Sequence, residues 1–322
     1  MDSDARVYVA GHKGLLGSAL LRLLQAGGHR NILTRSHAEL DLCDPAATEF
    51  FFAREQPEYV ILAAARVGGI QANLDYPAEF IYANLMIETS VIQAARKHGV
   101  QRLLFFGSTC MYPRDCPQPM AEEMIMAGVM EKSSEAYAIA KLSGMKLCQS
   151  YNAQYGTEFL PVIPATLYGP HDNFNPASSH VVSALIRRFH EAKEHSTTDP
   201  LVVWGTGTPR REFLYVDDLA KASLFLLQKP RQELDALMPL SEFVLNVGYG
   251  DDVSIGELAG SVRGVVGIEN EIIFDATKPD GTPRKLLDSS RMTALGWRPS
   301  VSLEEGLGRT YCWYRDAASL RE

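Results

Sequence analysis

Three glycines between an apolar run and an amphipathic segment constrain the fold of this chain more than any other feature. Gly11, Gly14 and Gly17 follow the apolar residues 7–9 and precede residues 15–26, in which leucines recur on one helical face. Glycine permits a tight turn and a close backbone approach to a pyrophosphate, and the following helix presents free N–H groups to phosphates. The sequence therefore predicts a strand–turn–helix unit with a dinucleotide-binding loop formed by Gly11, His12, Lys13, Gly14, Leu15, Leu16 and Gly17.

The same alternation of short apolar runs and longer amphipathic segments continues through the first half of the chain. Residues 59–62 and 103–106 are predicted strands, and residues 77–97 and 133–154 are predicted helices. Nearly all-apolar strands alternating with helices indicate a parallel sheet covered on both faces. We therefore expect an α/β fold: a Rossmann-type doubly wound parallel sheet with a smaller α/β substrate domain.

The alternation weakens after Pro164, which suggests where the two domains divide. We expect residues 1–165, with residues 212–235 returning, to form the dinucleotide-binding domain. Residues 166–211 and 236–322 would form the substrate domain. No flexible linker is evident between them, so we expect the two domains to share a cleft.

Composition excludes several classes of protein. A net charge of −8 argues against a nucleic-acid-binding surface, which normally needs a basic stripe. No apolar run approaches the ~18 residues that a membrane span requires. The five cysteines are odd in number and form no C-x-x-C pair, as is typical of reduced thiols rather than a metal site. We expect a cytoplasmic protein with no metal and no membrane or nucleic-acid partner.

The second predicted strand indicates which dinucleotide would bind. A strand of this kind that serves NAD usually ends in Asp or Glu, which bonds the ribose 2′-hydroxyl. Here the strand runs into Thr34, Arg35 and Ser36. A guanidinium can bind a 2′-phosphate through two hydrogen bonds, and Lys13 would add a second positive charge. The sequence favours NADP(H), with an ordinary surface arginine at position 35 as the alternative.

A tyrosine and a lysine four residues apart suggest proton-transfer chemistry. Tyr137 and Lys141 would share one face of a helix. A nearby cation favours the phenolate, so we expect Lys141 to bring the pKa of Tyr137 closer to neutrality. Ser108 follows the strand 103–106, at the carboxyl end where parallel sheets place functional groups, and would bond the same carbonyl oxygen.

The glycine loop, the serine and the Tyr-x-x-x-Lys motif, in this order, resemble the extended short-chain dehydrogenase/reductase family. Longer stretches narrow the resemblance to members that act on GDP-4-keto-6-deoxy sugars. They span nearly the whole chain: GHKG (11–14), AAARVGGI (63–70), STCMYP (108–113), YGPHDNF (168–174) and KPDGTPRK (278–285).

This resemblance implies a bifunctional enzyme. It would be a 3,5-epimerase and NADPH-dependent 4-reductase that converts GDP-4-keto-6-deoxy-D-mannose to GDP-L-fucose. By resemblance, Cys110 and His180 would be the acid–base pair of the epimerase. The residues alone do not distinguish this role from a small buried thiol at position 110 and a residue beside a helix start at position 180.

The resemblance also implies two sets of binding residues. For the nucleotide-sugar they are Arg188, Trp204, Arg211 and Asp280, with Arg187 as a substitute for its neighbour. A tryptophan packed under a turn remains the alternative for position 204. Further cofactor contacts would come from Asp41, Leu42, Ala63, Ala64, Asn84, Tyr137, Lys141, Pro164, Ala165, Thr166, Leu167 and His180.

The sequence departs from the family pattern in three places. Lys13 stands where we expect arginine, and the Ala165–Thr166 pair stands where the family has Thr-Asn. Ser134, three residues before Tyr137, replaces a usual asparagine. The last two departures change hydrogen-bonding groups close to the expected chemistry.

Other functions stay open at this point. One is a related GDP-deoxysugar synthase, such as one that makes GDP-L-colitose, and another is an NAD-dependent nucleotide-sugar 4-epimerase. A non-catalytic nucleotide-binding protein is the third, although it would have no need of Tyr137 and Lys141. The predicted helices 77–97 and 133–154 would pair with those of a second copy, which suggests a homodimer.

Overall fold

A computed structural model of the chain describes residues 1–176, 178–278 and 280–318. The strands are β1 (Val7–Ala10), β2 (Ile32–Leu33), β3 (Tyr59–Leu62), β4 (Arg102–Phe106), β5 (Phe159–Pro164), β6 (Thr166–Tyr168), β7 (Leu201–Trp204), β8 (Arg210–Arg211), β9 (Phe213–Tyr215), β10 (Leu245–Val247), β11 (Val253–Ser254), β12 (Ile272–Asp275) and β13 (Arg284–Lys285). The helices are α1 (Leu15–Ala26), α2 (Pro45–Glu55), α3 (Ile70–Asp75), α4 (Pro77–Lys97), α5 (Glu135–Tyr155), α6 (Val181–Glu194), α7 (Val216–Gln228), α8 (Arg231–Leu237), α9 (Ile255–Val266), α10 (Ser290–Ala294) and α11 (Leu303–Ala318).

The largest sheet has six strands in the order β10–β5–β4–β3–β1–β2, and all its neighbouring strands are parallel. Helices α1 and α7 pack together on one face, and α2, α4 and α5 pack on the other. The central strands are buried throughout, as a sheet covered on both faces requires. The predicted Rossmann-type α/β fold is confirmed.

A second, smaller core lies apart from this sheet. Its buried side chains include Val182 and Phe189 of α6, Val203 of β7 and Leu258 of α9. Three short sheets belong to this part of the chain or join it to the large sheet: β11–β8–β13, β12–β7 and β6–β9. This arrangement agrees with a smaller α/β unit beside the large one.

One strand lies elsewhere than the sequence-based division suggested. We expected residues 236–322 to belong to the substrate domain, but β10 is the outer strand of the large sheet and pairs with β5. Leu245 and Val247 are fully buried in the large core. Because β10 has only three residues, its sequence does not reveal which sheet it joins. The rest of the division stays a prediction.

None of the helices within the described residues is long and apolar enough to cross a membrane.

A buried arginine ties the large sheet to the end of α7. Arg102 starts β4, and its side chain is 10% exposed. One guanidinium nitrogen donates to the carbonyl oxygens of Leu226, Leu227 and Lys229, at 3.2, 3.1 and 2.7 Å. The other two nitrogens bond Glu158. The last carbonyls of a helix lack partners within the helix, so this cation satisfies them and opposes their partial negative charge.

We expect Arg102→Met to destabilise the protein by roughly 3–5 kcal/mol, because it leaves the carboxylate of Glu158 and several backbone carbonyls without their buried hydrogen-bond partner. The midpoint of urea unfolding measures this loss. Arg231→Met is the matched control, because Arg231 also pairs with Glu158, at 3.7 Å, but its side chain is 45% exposed. The control should lose less than about 1 kcal/mol. Equal losses in the two variants would contradict the structural role of Arg102.

Candidate active site

In the glycine loop between β1 and α1, backbone segments pack so closely that side chains at Gly11 and Gly17 would not fit. Gly11 has a φ of +84°, and a Cβ atom there would lie 2.7 Å from the backbone nitrogen of Ala64. A Cβ on Gly17 would overlap the carbonyl oxygen of Gly11. Gly14 is the N-cap of α1, so free N–H groups of the first helical turn face the loop. This cradle of backbone fits the pyrophosphate of a dinucleotide.

The end of β2 carries a cluster that favours an anion. Glu39 accepts hydrogen bonds from the backbone nitrogen of Ser36, at 2.7 Å, and from its hydroxyl, at 2.6 Å. These bonds, together with the charges of Arg35 and Lys13, lower the pKa of Glu39. Arg35 itself bonds Glu55 at 2.8 Å. The same two cations and the serine hydroxyl would also suit a phosphate, because a phosphate is an anion like the carboxylate of Glu39.

The remaining predicted cofactor residues on this side differ in what they do. Asn84 is fully buried, and its amide bonds both backbone groups of Arg66 and the carbonyl of Phe80. Asn84 therefore holds the segment after β3 in place. Asp41 is exposed and accepts from the backbone of Cys43, whereas Leu42 is buried in the large core.

Residues 164–167 lie where the chain leaves the large sheet. Pro164 ends β5, and the backbone nitrogen of Ala165 donates to Val247 at 3.0 Å. Thr166 and Leu167 belong to β6, which pairs with β9. The segment thus lies beside the carboxyl ends of β5 and β10, at the same edge as Ala63 and Ala64 after β3.

Tyr137 and Lys141 lie on α5 as predicted, but Lys141 has a partner that the sequence did not reveal. Its ammonium nitrogen is 3.1 Å from a carboxylate oxygen of Glu88 on α4, and both side chains are buried. The nitrogen is 5.8 Å from the centre of the Tyr137 ring. The only signal for Glu88 in the sequence was a carboxylate within the apolar face of a predicted helix.

The pKa of Tyr137 departs from our expectation. We expected Lys141 to lower it, but burial raises it, and the nearby Cys110 and Glu88 raise it further. Lys141 pairs with Glu88, so its charge does not offset the effect of burial on the phenolate. A buried phenol of this kind retains its proton, as a proton donor must.

Cys110 follows β4 in a short helical turn that Ser108 caps. Burial opposes the thiolate, but the charge of Lys285 and hydrogen bonds with the Ser108 and Ser134 hydroxyls outweigh it, so the pKa of Cys110 is lowered. Cys110 also affects the pKa of Tyr137, so the two groups are neighbours. The structure thus brings Ser108, Cys110 and Tyr137 together.

His180 is the N-cap residue of α6. It lies close enough to Asp172 for its charge to oppose the effect of burial, which raises the pKa of that carboxyl. Within the described residues, no hydrogen bond joins His180 to Cys110. The pairing of these two residues stays a prediction.

The predicted nucleotide-sugar residues gather around the end of β7. The Trp204 side chain is 60% exposed, so it does not pack under a turn, and the ammonium of Lys278 lies 5.3 Å from its ring centre. Asp280 accepts from Thr206 at 2.7 Å. Arg211 is mostly buried, which lowers its pKa, while Cys110 and Asp280 oppose that effect. Arg211 therefore lies near both Cys110 and Asp280, and Asp280 bonds the turn that follows Trp204.

Arg188 and Arg187 on α6 are both engaged. Arg188 donates to the carbonyl of Val202 on β7, and burial lowers its pKa. Arg187 bonds Glu191 at 2.6 Å. Arg188 is thus the one of the two that reaches the strand of Trp204.

No group of three or more His, Cys, Asp or Glu side chains within the described part of the chain is arranged to hold a metal ion.

Lys285 is the second functional candidate, after Glu88, that the sequence did not reveal. Its contact with Cys110 joins residues 175 positions apart, which no local pattern predicts.

Known proteins resemble the chain over almost its full length. Residues 7–248 match the NAD dependent epimerase/dehydratase family. GDP-L-fucose synthase 1 of Arabidopsis thaliana is 53% identical over 313 residues, covering 97% of this chain and 94% of that protein. GDP-L-fucose synthase of Escherichia coli strain K12 is 51% identical over 313 residues, covering 97% of each chain. The solved structure of a GDP-L-fucose synthetase from Naegleria fowleri bound to NADP has a TM-score of 0.88 at 26% identity, covering 99% of this chain and 96% of that one. The chain belongs to the NAD dependent epimerase/dehydratase family.

Proposed function

We propose that the protein converts GDP-4-keto-6-deoxy-D-mannose to GDP-L-fucose, as an NADPH-dependent 4-reductase that is also a 3,5-epimerase. The observation that carries this proposal is the thiol of Cys110, with a lowered pKa, beside Tyr137 and Ser108. A plain reductase needs no extra acid–base group there. The relatives that are about half identical over nearly the whole chain are named for the same product.

The two halves of the cleft suit the two ligands. The glycine loop would hold the pyrophosphate of NADP(H), and Arg35 with Lys13 would hold its 2′-phosphate. NADPH bound there supplies the hydride that reduces the ketone. On the opposite side, Arg188 and Arg211 suit the diphosphate of the sugar nucleotide, and the exposed indole of Trp204 suits a flat base or sugar.

Inversion of a carbon beside a ketone needs a base on one face and an acid on the other. In this proposal the Cys110 thiolate takes the proton and His180 returns one. The enolate between the two steps is stabilised by hydrogen bonds from Tyr137 and Ser108 to its oxygen. Each inversion leaves a proton on the sulfur and a neutral imidazole. The pair therefore exchanges protons with solvent before it acts again.

Reduction of the ketone then needs one proton for the new hydroxyl. Tyr137 donates it, and its raised pKa keeps this proton on the phenol until an alkoxide forms. Lys141, held by Glu88, lies one helical turn away from that phenol. Asp280 fixes the turn after Trp204 through Thr206 and thereby orients the sugar-binding side.

Two alternatives make different demands on these residues. A GDP-deoxysugar synthase of the colitose type would use the same chemistry on another sugar, and the identity of the product separates the two. An NAD-dependent 4-epimerase would need neither Cys110 and His180 as a further acid–base pair nor the cations at Arg35 and Lys13. The cation cluster and the lowered pKa of Cys110 favour the epimerase–reductase.

We also propose that the protein works as a homodimer in the cytoplasm. Helices α4 and α5 pack closely against each other, and their outer sides expose Tyr82, at 65%, and Ile139, at 38%. Apolar side chains on two adjacent helices suit a four-helix contact with a second copy. Light scattering should give twice the 35.6 kDa of one chain.

The epimerase activity is tested with Cys110→Ser in D₂O. Wild-type enzyme should place deuterium at both sugar carbons beside the ketone, and the variant should slow this incorporation at least about 100-fold, because serine is a far weaker acid. Mass spectrometry and NMR of the sugar measure the label. NADPH binding should persist, and so should reduction of a ketone already in the L configuration.

Cys116→Ser is the matched control, since Cys116 is a second buried thiol a few residues along the same loop. It should incorporate deuterium like wild type. Wild-type labelling and L-sugar formation in Cys110→Ser would overturn the assigned base, because epimerisation would then proceed through another group.

Cofactor choice is tested with Arg35→Ala. The change should weaken NADPH binding by roughly 1.5–3 kcal/mol, the scale of a hydrogen bond to a charged group, and barely alter NADH binding. Calorimetric titration with both cofactors measures the difference. Arg54→Ala controls for the shared partner, because Arg54 also pairs with Glu55 but is 59% exposed. Equal losses for NADPH and NADH would show that Arg35 acts through folding and not through the 2′-phosphate.

A further inference from the structure

A lysine far away in the sequence lies against the thiol of Cys110. The ammonium nitrogen of Lys285, on β13, is 3.7 Å from the Cys110 sulfur. Among the residues that the structure describes, no carboxylate forms a salt bridge with Lys285. Its charge is therefore directed at the sulfur and is not neutralised by a neighbouring acid.

The backbone around Lys285 is fixed from two directions. On one side, β13 pairs with β8, where the backbone nitrogen of Glu212 donates to the carbonyl of Lys285 at 3.1 Å. On the other side, Met120 donates to the carbonyl of Leu286 at 2.7 Å and accepts from Asp288 at 3.0 Å. Met120 belongs to the loop that follows Cys110. The strand that carries the lysine is thus fastened to the segment that carries the thiol.

The other groups that face Cys110 do not replace this lysine. Arg211 lies opposite Lys285 in the strand register, but its guanidinium donates to the carbonyl of Arg210 at 2.7 Å and also faces Asp280. Tyr137 is neutral while it retains its proton. The hydroxyls of Ser108 and Ser134 bond the sulfur but carry no charge. Among the described residues, Lys285 is the cation in direct contact with the sulfur.

We propose that Lys285 is the positioning residue that keeps the Cys110 sulfur in its thiolate form, ready to take a proton from the sugar. This proposal rests on the epimerase function proposed above. When the thiolate takes a proton from carbon, one S–H bond forms, one C–H bond breaks and the electron pair moves to the ketone oxygen. Lys285 keeps its own proton throughout, so it acts on the sulfur and not on the sugar.

An unassisted thiol is a poor base near neutral pH, because its pKa is too high. A cysteine has an ordinary pKa of about 8.5, so only a few per cent is thiolate at pH 7. A base works best when its pKa lies near the working pH. An ammonium in contact moves the thiol toward that range, in the direction found for Cys110. Ser134, at the position where asparagine is usual, contributes a hydroxyl to the same sulfur.

The test measures the titration of Cys110 in the full-length protein without any sugar. The protein is alkylated with iodoacetamide between pH 5 and pH 10, and mass spectrometry follows the peptide that contains Cys110, so the other four cysteines do not interfere. We expect Lys285→Met to raise the apparent pKa of Cys110 by about one unit and to lower its alkylation rate at pH 7 about tenfold. Lys285→Arg, which keeps the charge, should stay close to wild type.

Arg284→Met is the matched control. It removes the same charge from the adjacent position of β13, but the guanidinium of Arg284 bonds Asp252 and not Cys110. It should leave the alkylation profile of Cys110 unchanged. If Lys285→Met does not fold, as judged by circular dichroism, the nearly isosteric Lys285→Gln provides the same comparison.

A second readout separates thiolate stabilisation from sugar binding. Deuterium incorporation by Lys285→Met should be slow at pH 7 and should recover toward the wild-type rate at pH 9, where the thiol ionises without help. An unchanged alkylation profile with a raised KM for the sugar nucleotide would overturn the proposal, because Lys285 would then only bind substrate. Since alkylation needs no substrate, a shifted profile would support the lysine–thiol pair even if the protein made a different sugar.

Discussion

All six strands of the large sheet run in one direction, and the proposed chemistry depends on that constraint. Parallel strands end at the same edge, so the segments that follow β1, β3, β4 and β5 meet there. Those segments carry the glycine loop, Ala63 and Ala64, Ser108 with Cys110, and residues 164–167. Groups that are far apart in the sequence thus share one cleft without any need for long loops.

One buried carboxylate helps to link the smaller unit to this edge. Glu212 is 2% exposed and accepts hydrogen bonds from the backbone nitrogens of Gly250, at 2.7 Å, and Leu287, at 2.9 Å. Burial raises the pKa of Glu212 to about 7, although these backbone donors favour the charged form. The carboxylate joins the segment after β10 to the segment after β13. It therefore holds Arg211 and Lys285 at a fixed distance from the large sheet.

Patterns of nearby residues along the sequence predicted those parts of the site whose positions depend only on the local helix or strand. The glycine loop, Ser108 after a strand and the Tyr137–Lys141 spacing lie where the sequence suggested, because helix and strand periodicity set their positions. Long-range contacts were not predictable in this way. The pairs of Lys141 with Glu88 and of Lys285 with Cys110 form only when separate elements pack together.

Two corrections have the same physical origin. The pKa of Tyr137 is raised and not lowered, because burial opposes the phenolate and the lysine one turn away, which pairs with a residue of another helix, does not offset this effect. Strand β10 belongs to the large sheet because its apolar residues fill the large core, which a three-residue pattern cannot indicate. In both cases tertiary packing determined the outcome, and no property of the local sequence did.

In the proposed mechanism, one cleft inverts two carbons and reduces one ketone. The most direct measurement is to incubate the protein with GDP-4-keto-6-deoxy-D-mannose and NADPH, follow the loss of absorbance of NADPH, and identify the product sugar by NMR. The proposed mechanism requires one NADPH oxidised for each GDP-L-fucose formed, with no D-configured 6-deoxy product. Oxidation of NADPH that yields only a D-configured 6-deoxyhexose, or no oxidation at all, would contradict it.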